Sequence, residues 1–421
     1  MTTHAPDAEP ACPGPADARP ASQSQISTDA APAARALRVE PCAFGAIPRD
    51  VWDNLAARNP WATPFSGWAF QRAWWDAYGA SAHDQTLIVR AAAGSAGGAE
   101  AGDPIAIVPL MHRHEVETSD EATASKIRHG DVSWLTPVAP TAKAVFFGAS
   151  YHADYATILA APEDLPAVSA AVADHLADAR AGDPSHPAPW DAIDLRRLRC
   201  GDPAADALAA AFGARELANG WTLNLEREDV CPVVPIPPDV DFEGYLSTLD
   251  KKSRHEIRRK VRRAEAAGDV RLTRSTTPLD DLDDFIDLHQ KRWGPDGLFP
   301  PTPGGDASRV FIRRWFEESG PDGPVALLFL TVGDRRIAAG IHVEDGETLM
   351  FYNAGIDPDA RDLSPGVVLA AECLRVAIAL GKTRFDFLRG NEPYKYEWGA
   401  VDEPIQRLLV RRDDARSEGA R

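Results

Sequence analysis

Cysteine is scarce and unpatterned in this chain. Its five cysteines, Cys12, Cys42, Cys200, Cys231 and Cys373, form no CxxC pair. Neither a zinc site nor a disulfide framework is therefore expected, and the thiols read as reduced and structural. Long apolar runs are missing as well: stretches such as Val325 to Val332 fall far short of the roughly 20 residues that span a bilayer. The N-terminus has neither the basic nor the apolar region of a signal peptide, which points to the cytoplasm. Basic residues are outnumbered, 45 Lys and Arg against 63 Asp and Glu, for a net charge of -18. That balance argues against general nucleic-acid binding, because phosphate backbones are repelled unless the basic residues cluster.

What remains is an ordinary globular composition, 44% hydrophobic and 26% charged. At 421 residues it is too long for one ordinary core, so two domains are expected. Residues 1–42 hold Ala, Pro, Asp, Ser and Thr with almost no bulky apolar side chain and read as a disordered tail. A first domain is expected over 43–225, a proline-rich linker over 226–241, a second domain over 242–412 and a short tail over 413–421.

Within each domain, strands and helices alternate as in a mixed sheet covered by helices. In the first, Leu87–Arg90, Ile105–Met111, Tyr155–Leu159, Trp190–Leu195 and Trp221–Leu225 read as strands, with a helix over Pro162–Arg180. In the second, Ala326–Val332, Arg336–Val343 and Leu349–Ala354 form an antiparallel meander. The halves echo each other. Ile193-Asp194-Leu195-Arg196 parallels Phe385-Asp386-Phe387-Leu388-Arg389, 192 residues further on. Only the second copy continues into Glu392-Pro393-Tyr394-Lys395-Tyr396-Glu397-Trp398, so the first reads as a degenerate, structural copy.

That continuation concentrates the chemistry. Two acids, two bases and several aromatics sit on a turn after a buried strand, where a rigid strand meets a loop with reach. Glu392 is the candidate base, Tyr394 the candidate acid, Lys395 and Arg389 candidate anion binders, and Asp386 a group that orients Arg389 or the turn. Upstream, Pro365-Gly366 opens an apolar helix whose N-terminus is a candidate phosphate seat, with Arg361 and Ser364 in the preceding loop. Lys251 to Arg263 packs eight basic side chains into thirteen residues, Arg254 and Arg258 among them, along a helix with Ile257, Val261 and Ala264 as its buried stripe. The loop Gly294–Asp306 is a candidate lid, and His289 reads as a core histidine.

The run FDFLRGNEPYKYEWGA, with YNAGIDPDARDLSPG before it and YLSTLDKKSRHEIRRKVRR further upstream, resembles the CelD/BcsL-like acetyltransferases, a FemAB-like branch of the GNAT superfamily. The resemblance implies an α+β fold of two tandem GNAT-like domains, each a mostly antiparallel sheet flanked by helices. It implies acyl transfer from acetyl-CoA or another acyl-CoA, without a metal, to an amine or hydroxyl of a small-molecule or glycan-precursor acceptor. A setting in cellulose, exopolysaccharide or cell-envelope assembly, with peripheral association and no membrane span, goes with it. It also implies that the carbonyl and pantetheine lie along Leu349–Ala354, at Tyr352 and Asn353, with the pyrophosphate near Arg361, Ser364 and Gly366. The loop there departs from the usual glycine-rich pattern, reading Arg361-Asp362-Leu363-Ser364-Pro365-Gly366, and Arg254 and Arg258 are expected to compensate. Two alternatives stay open: FemAB-like aminoacyl transfer from charged tRNA, which the acidic charge and the lack of an inserted coiled-coil hairpin disfavour, and a non-catalytic accessory protein.

Overall fold

The computed structural model describes residues 36–91, 102–113, 134–139, 141–181 and 186–412. The first half runs β1 (Leu37–Pro41), α1 (Arg49–Ala57), α2 (Trp68–Tyr78), β2 (His83–Asp84), β3 (Leu87–Ala91), β4 (Pro104–Val108), β5 (Leu110–Arg113), β6 (Ala144–Phe147), β7 (Leu159–Ala160), α3 (Leu165–Ala177), β8 (Ala192–Arg199), α4 (Pro203–Gly213), α5 (Glu216–Asn219) and β9 (Trp221–Pro235). The second runs α6 (Phe242–Thr248), α7 (Lys251–Ala267), β10 (Val270–Arg274), α8 (Pro278–Trp293), α9 (Pro303–Ser319), β11 (Val325–Val332), β12 (Arg335–Asp345), β13 (Thr348–Ile356), α10 (Pro365–Ala379), β14 (Arg384–Asp386), α11 (Pro393–Tyr396) and β15 (Val401–Arg412).

Both halves feed one eleven-stranded sheet, in the order β10-β11-β12-β13-β14-β9-β15-β8-β6-β5-β2, beside a four-stranded sheet β1-β3-β4-β7. The echo in the sequence is an echo in topology. In the first half β6, α3 and β8 make a parallel strand-helix-strand unit; in the second, β13, α10 and β14 do the same. Each unit then takes its next strand from the other half. The C-terminal β15 lies against β8, from Arg199↔Ile405 to Ala192↔Arg411, while the end of β9, Val233–Pro235, lies against β14. Between them β9 and β15 pair with each other from Trp221↔Arg412 to Val233↔Val401.

This exchange corrects two expected boundaries. Most of the expected linker is strand, because Val230, Val233 and Val234 are all buried in the core and the Pro232 carbonyl still accepts the Phe387 N–H at 3.1 Å. Within the expected N-terminal tail, Leu37–Pro41 is a strand on β3, with Leu37 and Val39 packed on the core; residues 1–35 and 413–421 lie outside the described residues. The strand expected over Tyr155–Leu159 shrinks to β7, and residues 148–155 are a buried loop. Cys42, Cys231 and Cys373 are free thiols as expected, whereas Cys200 is disulfide-bonded.

Arg407 rivets the shared strands. Its side chain is 1% exposed, and its guanidinium donates to Asp194 on β8 at 2.7 and 2.8 Å, to Glu226 on β9 at 3.1 Å and to the Thr136 carbonyl at 2.7 Å. Burial alone raises a carboxyl, but Arg196 and Arg407 together hold Asp194 below the ordinary carboxylate range. Arg407→Leu strands two carboxylates, one of them fully buried, and is expected to lower stability by about 3 to 5 kcal/mol. Chemical denaturation checks this, and the shared strands require that both halves still unfold in one transition.

Candidate functional site

The site begins where two parallel strands stop pairing. β13 and β14 match over only three positions, Thr348↔Arg384, Leu349↔Phe385 and Met350↔Asp386. β13 then continues to Ile356, while the chain after β14 turns away through Leu388 (φ 57) and Gly390 (φ 104), both left-handed. The turn is built by Asp386, whose Oδ1 accepts the Leu388 N–H at 2.7 Å. A cavity of about 260 Å³ opens between the separated strands.

One wall is β13. At Tyr352 the register against β12 slips, Ile341 facing Asn353 and His342 facing Phe351, so Tyr352 is the extra residue of a β-bulge. A bulge frees its residue from the ladder and re-aims the backbone, which is how a strand can offer an amide to a carbonyl oxygen. Behind this wall α8 presses on β13 at Gly355, where a Cβ would lie 2.5 Å from the backbone nitrogen of His289. Glycine there lets the end of α8 bring His289, Arg292 and Trp293 to the cavity. His289 is the core histidine expected: Nε2 accepts the Leu298 N–H at 3.1 Å and Nδ1 faces the Ala354 carbonyl at 3.3 Å. The expected lid is pinned by these bonds and by Phe299 N–H to Gln290 at 3.0 Å, and its last residues are the first turn of α9. Asp296 and Leu298 on it line the cavity.

The opposite wall is Phe387–Arg389 with the turn that follows. Lys395 is 2% exposed, and its ammonium donates to the carbonyls of Leu388, Arg389 and Gly390, each at 2.9 Å, with Glu392 Oε2 also at 2.9 Å. Three donors meet three carbonyls, so Lys395 is an internal brace and not the anion binder expected. Glu392 is half-exposed and Tyr394 packs edge-on against Phe387, and both line the cavity. Burial and the neighbouring Glu392 push the Tyr394 hydroxyl above its ordinary value, so it keeps its proton.

Asp386 does not orient Arg389. Its Oδ2 accepts from the Tyr155 hydroxyl at 2.7 Å, and Arg389 instead donates through Nε to Asp154 at 2.8 Å, both partners coming from the first half. Burial, against those hydrogen bonds, pushes the Asp386 carboxyl up to about 6. Asp154, Arg292, Trp293 and Asp296 went unremarked in the sequence. Arg292-Trp293 ends α8 beside a Gly/Pro loop, a signal present in the sequence, whereas Asp154 carried none.

The remaining candidates divide between the cavity and its surroundings. Asn353 lines it, but its Oδ1 accepts the adjacent Ala354 N–H at 2.8 Å. Arg361, Ser364, Gly366, Arg254 and Arg258 do not line it. Ser364 is left-handed (φ 53) just before α10, and Arg263 of the basic helix donates to its hydroxyl at 2.5 Å, so α7 does reach the start of α10. Arg258 is paired with Glu243 at 2.7 Å, and Arg254 donates to the Ser247 carbonyl at 3.2 Å. Among the described residues no group of His, Cys, Asp and Glu is placed to hold a metal ion.

With this geometry in view, residues 251–396 match the acetyltransferase (GNAT) domain family. No curated protein is similar in sequence. Among solved structures, FemX superposes with a TM-score of 0.52 at 12% identity, over 86% of this chain and 96% of FemX. A conserved protein of unknown function from Bacteroides thetaiotaomicron VPI-5482 superposes with a TM-score of 0.50 at 12% identity, over 89% of this chain and all of that one. At such identities the likeness is one of fold, an α+β architecture in which the GNAT domain match falls in the second half.

Two substitutions test the wiring. Lys395→Met leaves three turn carbonyls without their donor and is expected to cost about 3 to 5 kcal/mol by chemical denaturation. Asp386→Asn tests the buried proton. Because about 6 lies above the ordinary 3.8, the folded chain holds this proton more tightly than the unfolded chain. Its contribution is full below about pH 4 and lost as pH rises through 6. The stability of wild type relative to Asp386→Asn should therefore grow by roughly 2 kcal/mol from pH 7 to pH 4. A difference independent of pH would put the proton on another group.

Proposed function

We propose that this chain, carrying an acetyltransferase (GNAT) domain match over residues 251–396, transfers an acyl group from acyl-CoA to an amine or hydroxyl acceptor at the cleft between β13 and β14. The observation that carries the reading is the loss of pairing after Met350↔Asp386, with a bulge at Tyr352 on one side and the Glu392–Lys395 turn on the other. The fit of CoA rests on the free edge of β13 and on the start of α10, where Arg263 meets Ser364. Bound there, acyl-CoA supplies an activated thioester.

The chain's own groups supply the rest. The bulged backbone at Tyr352 and Asn353 offers donors to the carbonyl oxygen as charge develops on it. Glu392, half-exposed at the mouth, takes the proton of the attacking amine or hydroxyl, and Tyr394 gives its proton to the departing sulfur. Lys395 holds both in register from beneath. The CelD/BcsL-like run supports a finer reading: an acetyl donor and a glycan-precursor acceptor in cellulose, exopolysaccharide or cell-envelope assembly, with the enzyme acting in the cytoplasm. No helix of the described residues is long and apolar enough to cross a membrane.

Acetyl-CoA should raise the melting temperature, by the equivalent of about 2.7 kcal/mol at a hundredfold excess over Kd. Thiol release with a panel of amines and hydroxyl compounds then tests transfer. Tyr394→Phe should turn over about a hundredfold more slowly, with its melting temperature little changed. A melting curve indifferent to acetyl-CoA and to longer acyl-CoAs would sink the proposal.

A further inference from the structure

Loops ordinarily run over the surface, because their backbone polar groups need water. Residues 149–155 do the opposite. Between β6 and β7 this stretch of the first half is buried: His152, Asp154 and Tyr155 are 2%, 3% and 3% exposed. It enters through Ala149, which holds a left-handed backbone (φ 58) without being glycine, a conformation that persists only when its surroundings impose it. Its three polar residues reach different parts of the second half. The Tyr352 hydroxyl, on the β13 wall, donates to the His152 carbonyl at 3.2 Å. On the other wall, Tyr155 donates to Asp386 at 2.7 Å and Asp154 accepts from Arg389 at 2.8 Å.

The loop is braced from behind. The His152 ring stacks on Phe311 of α9 at 4.1 Å, and its Nε2 meets the Tyr78 hydroxyl of α2 at 2.7 Å. The Ala156 N–H bonds the Arg197 carbonyl of β8 at 3.0 Å. It is thus anchored on two helices and a strand while it touches both walls of the cleft.

We propose that the loop 149–155 of the first half is a positioning clamp that sets the gap between the two walls, through His152 on Tyr352 and through Asp154 and Tyr155 on Arg389 and Asp386. The half that lacks the Glu-Pro-Tyr-Lys turn is then a working part of the site. The clamp serves the same cleft as the acyl-transfer reading, and only the ligand arm of its test rests on that reading.

The test is hydrogen exchange on the full chain, comparing wild type with Tyr155→Phe, Asp154→Asn and the double variant. The amides of Phe387, Leu388 and Gly390 report on the wall, being bonded to the Pro232 carbonyl, Asp386 and the Val230 carbonyl. In the double variant, exchange over 385–392 should quicken at least tenfold while β11, β12 and α3 keep their protection, and the Kd for acetyl-CoA should rise about tenfold. A purely structural role would instead speed exchange throughout and lower the melting temperature. That result, or unchanged exchange over 385–392, overturns the clamp. If the double variant does not fold, Tyr155→Phe, which removes one hydroxyl, carries the same comparison alone. Should wild type take no acetyl-CoA, the functional reading falls, and the exchange data still decide on the clamp.

Discussion

The buried ammonium of Lys395 is the interaction on which this molecule's cleft depends. Parting two strands strips backbone groups of their ladder partners, and buried carbonyls without donors are costly. At Leu388, Arg389 and Gly390 one side chain replaces what a neighbouring strand would have supplied. Its charge is balanced by Glu392 at the rim. The same turn therefore opens the cavity, keeps it open and presents an acid and a phenol at its edge.

The two halves solve one problem twice. Asp194 on β8 and Asp386 on β14 occupy matching places in the repeat, each a carboxyl taken out of water. In the first half the answer is electrostatic, with Arg407 and Arg196 keeping Asp194 ionised among the shared strands. In the second it is a hydroxyl and an amide, and the Asp386 carboxyl rises toward neutrality. One arrangement joins strands of the two halves, and the other turns the chain away from β13 beside the cleft.

The sequence disclosed the elements more readily than the contacts. Period and punctuation located the meander, α10 and the basic helix, because those signals are local. The dense turn after Phe387 stood out as a place and lines the cavity, yet Lys395 looked like an outward-facing charge, and nothing in its neighbours foretold three carbonyls around its ammonium. Asp386 and Arg389 looked like partners by proximity; a left-handed residue between them sends each to the other half. The proline-rich stretch after Glu226 imitated a linker, since proline content does not reveal which edge of a strand is paired. Asp154 had no local signal, because its meaning lies in residues more than two hundred positions away.

The lending of strands between halves also bears on how the chain emerges from the ribosome. The edge of β8 that β15 will cover is complete by Arg199, but its partner does not begin until Val401. At ~5 to 20 residues per second those intervening two hundred or so residues take roughly 10 to 40 s to make. For that interval the nascent first half carries an open strand edge, flanked by the buried Asp194 that as yet has no Arg407. Such an edge is a template for pairing with another chain, and it stays uncovered until the last strand has been translated.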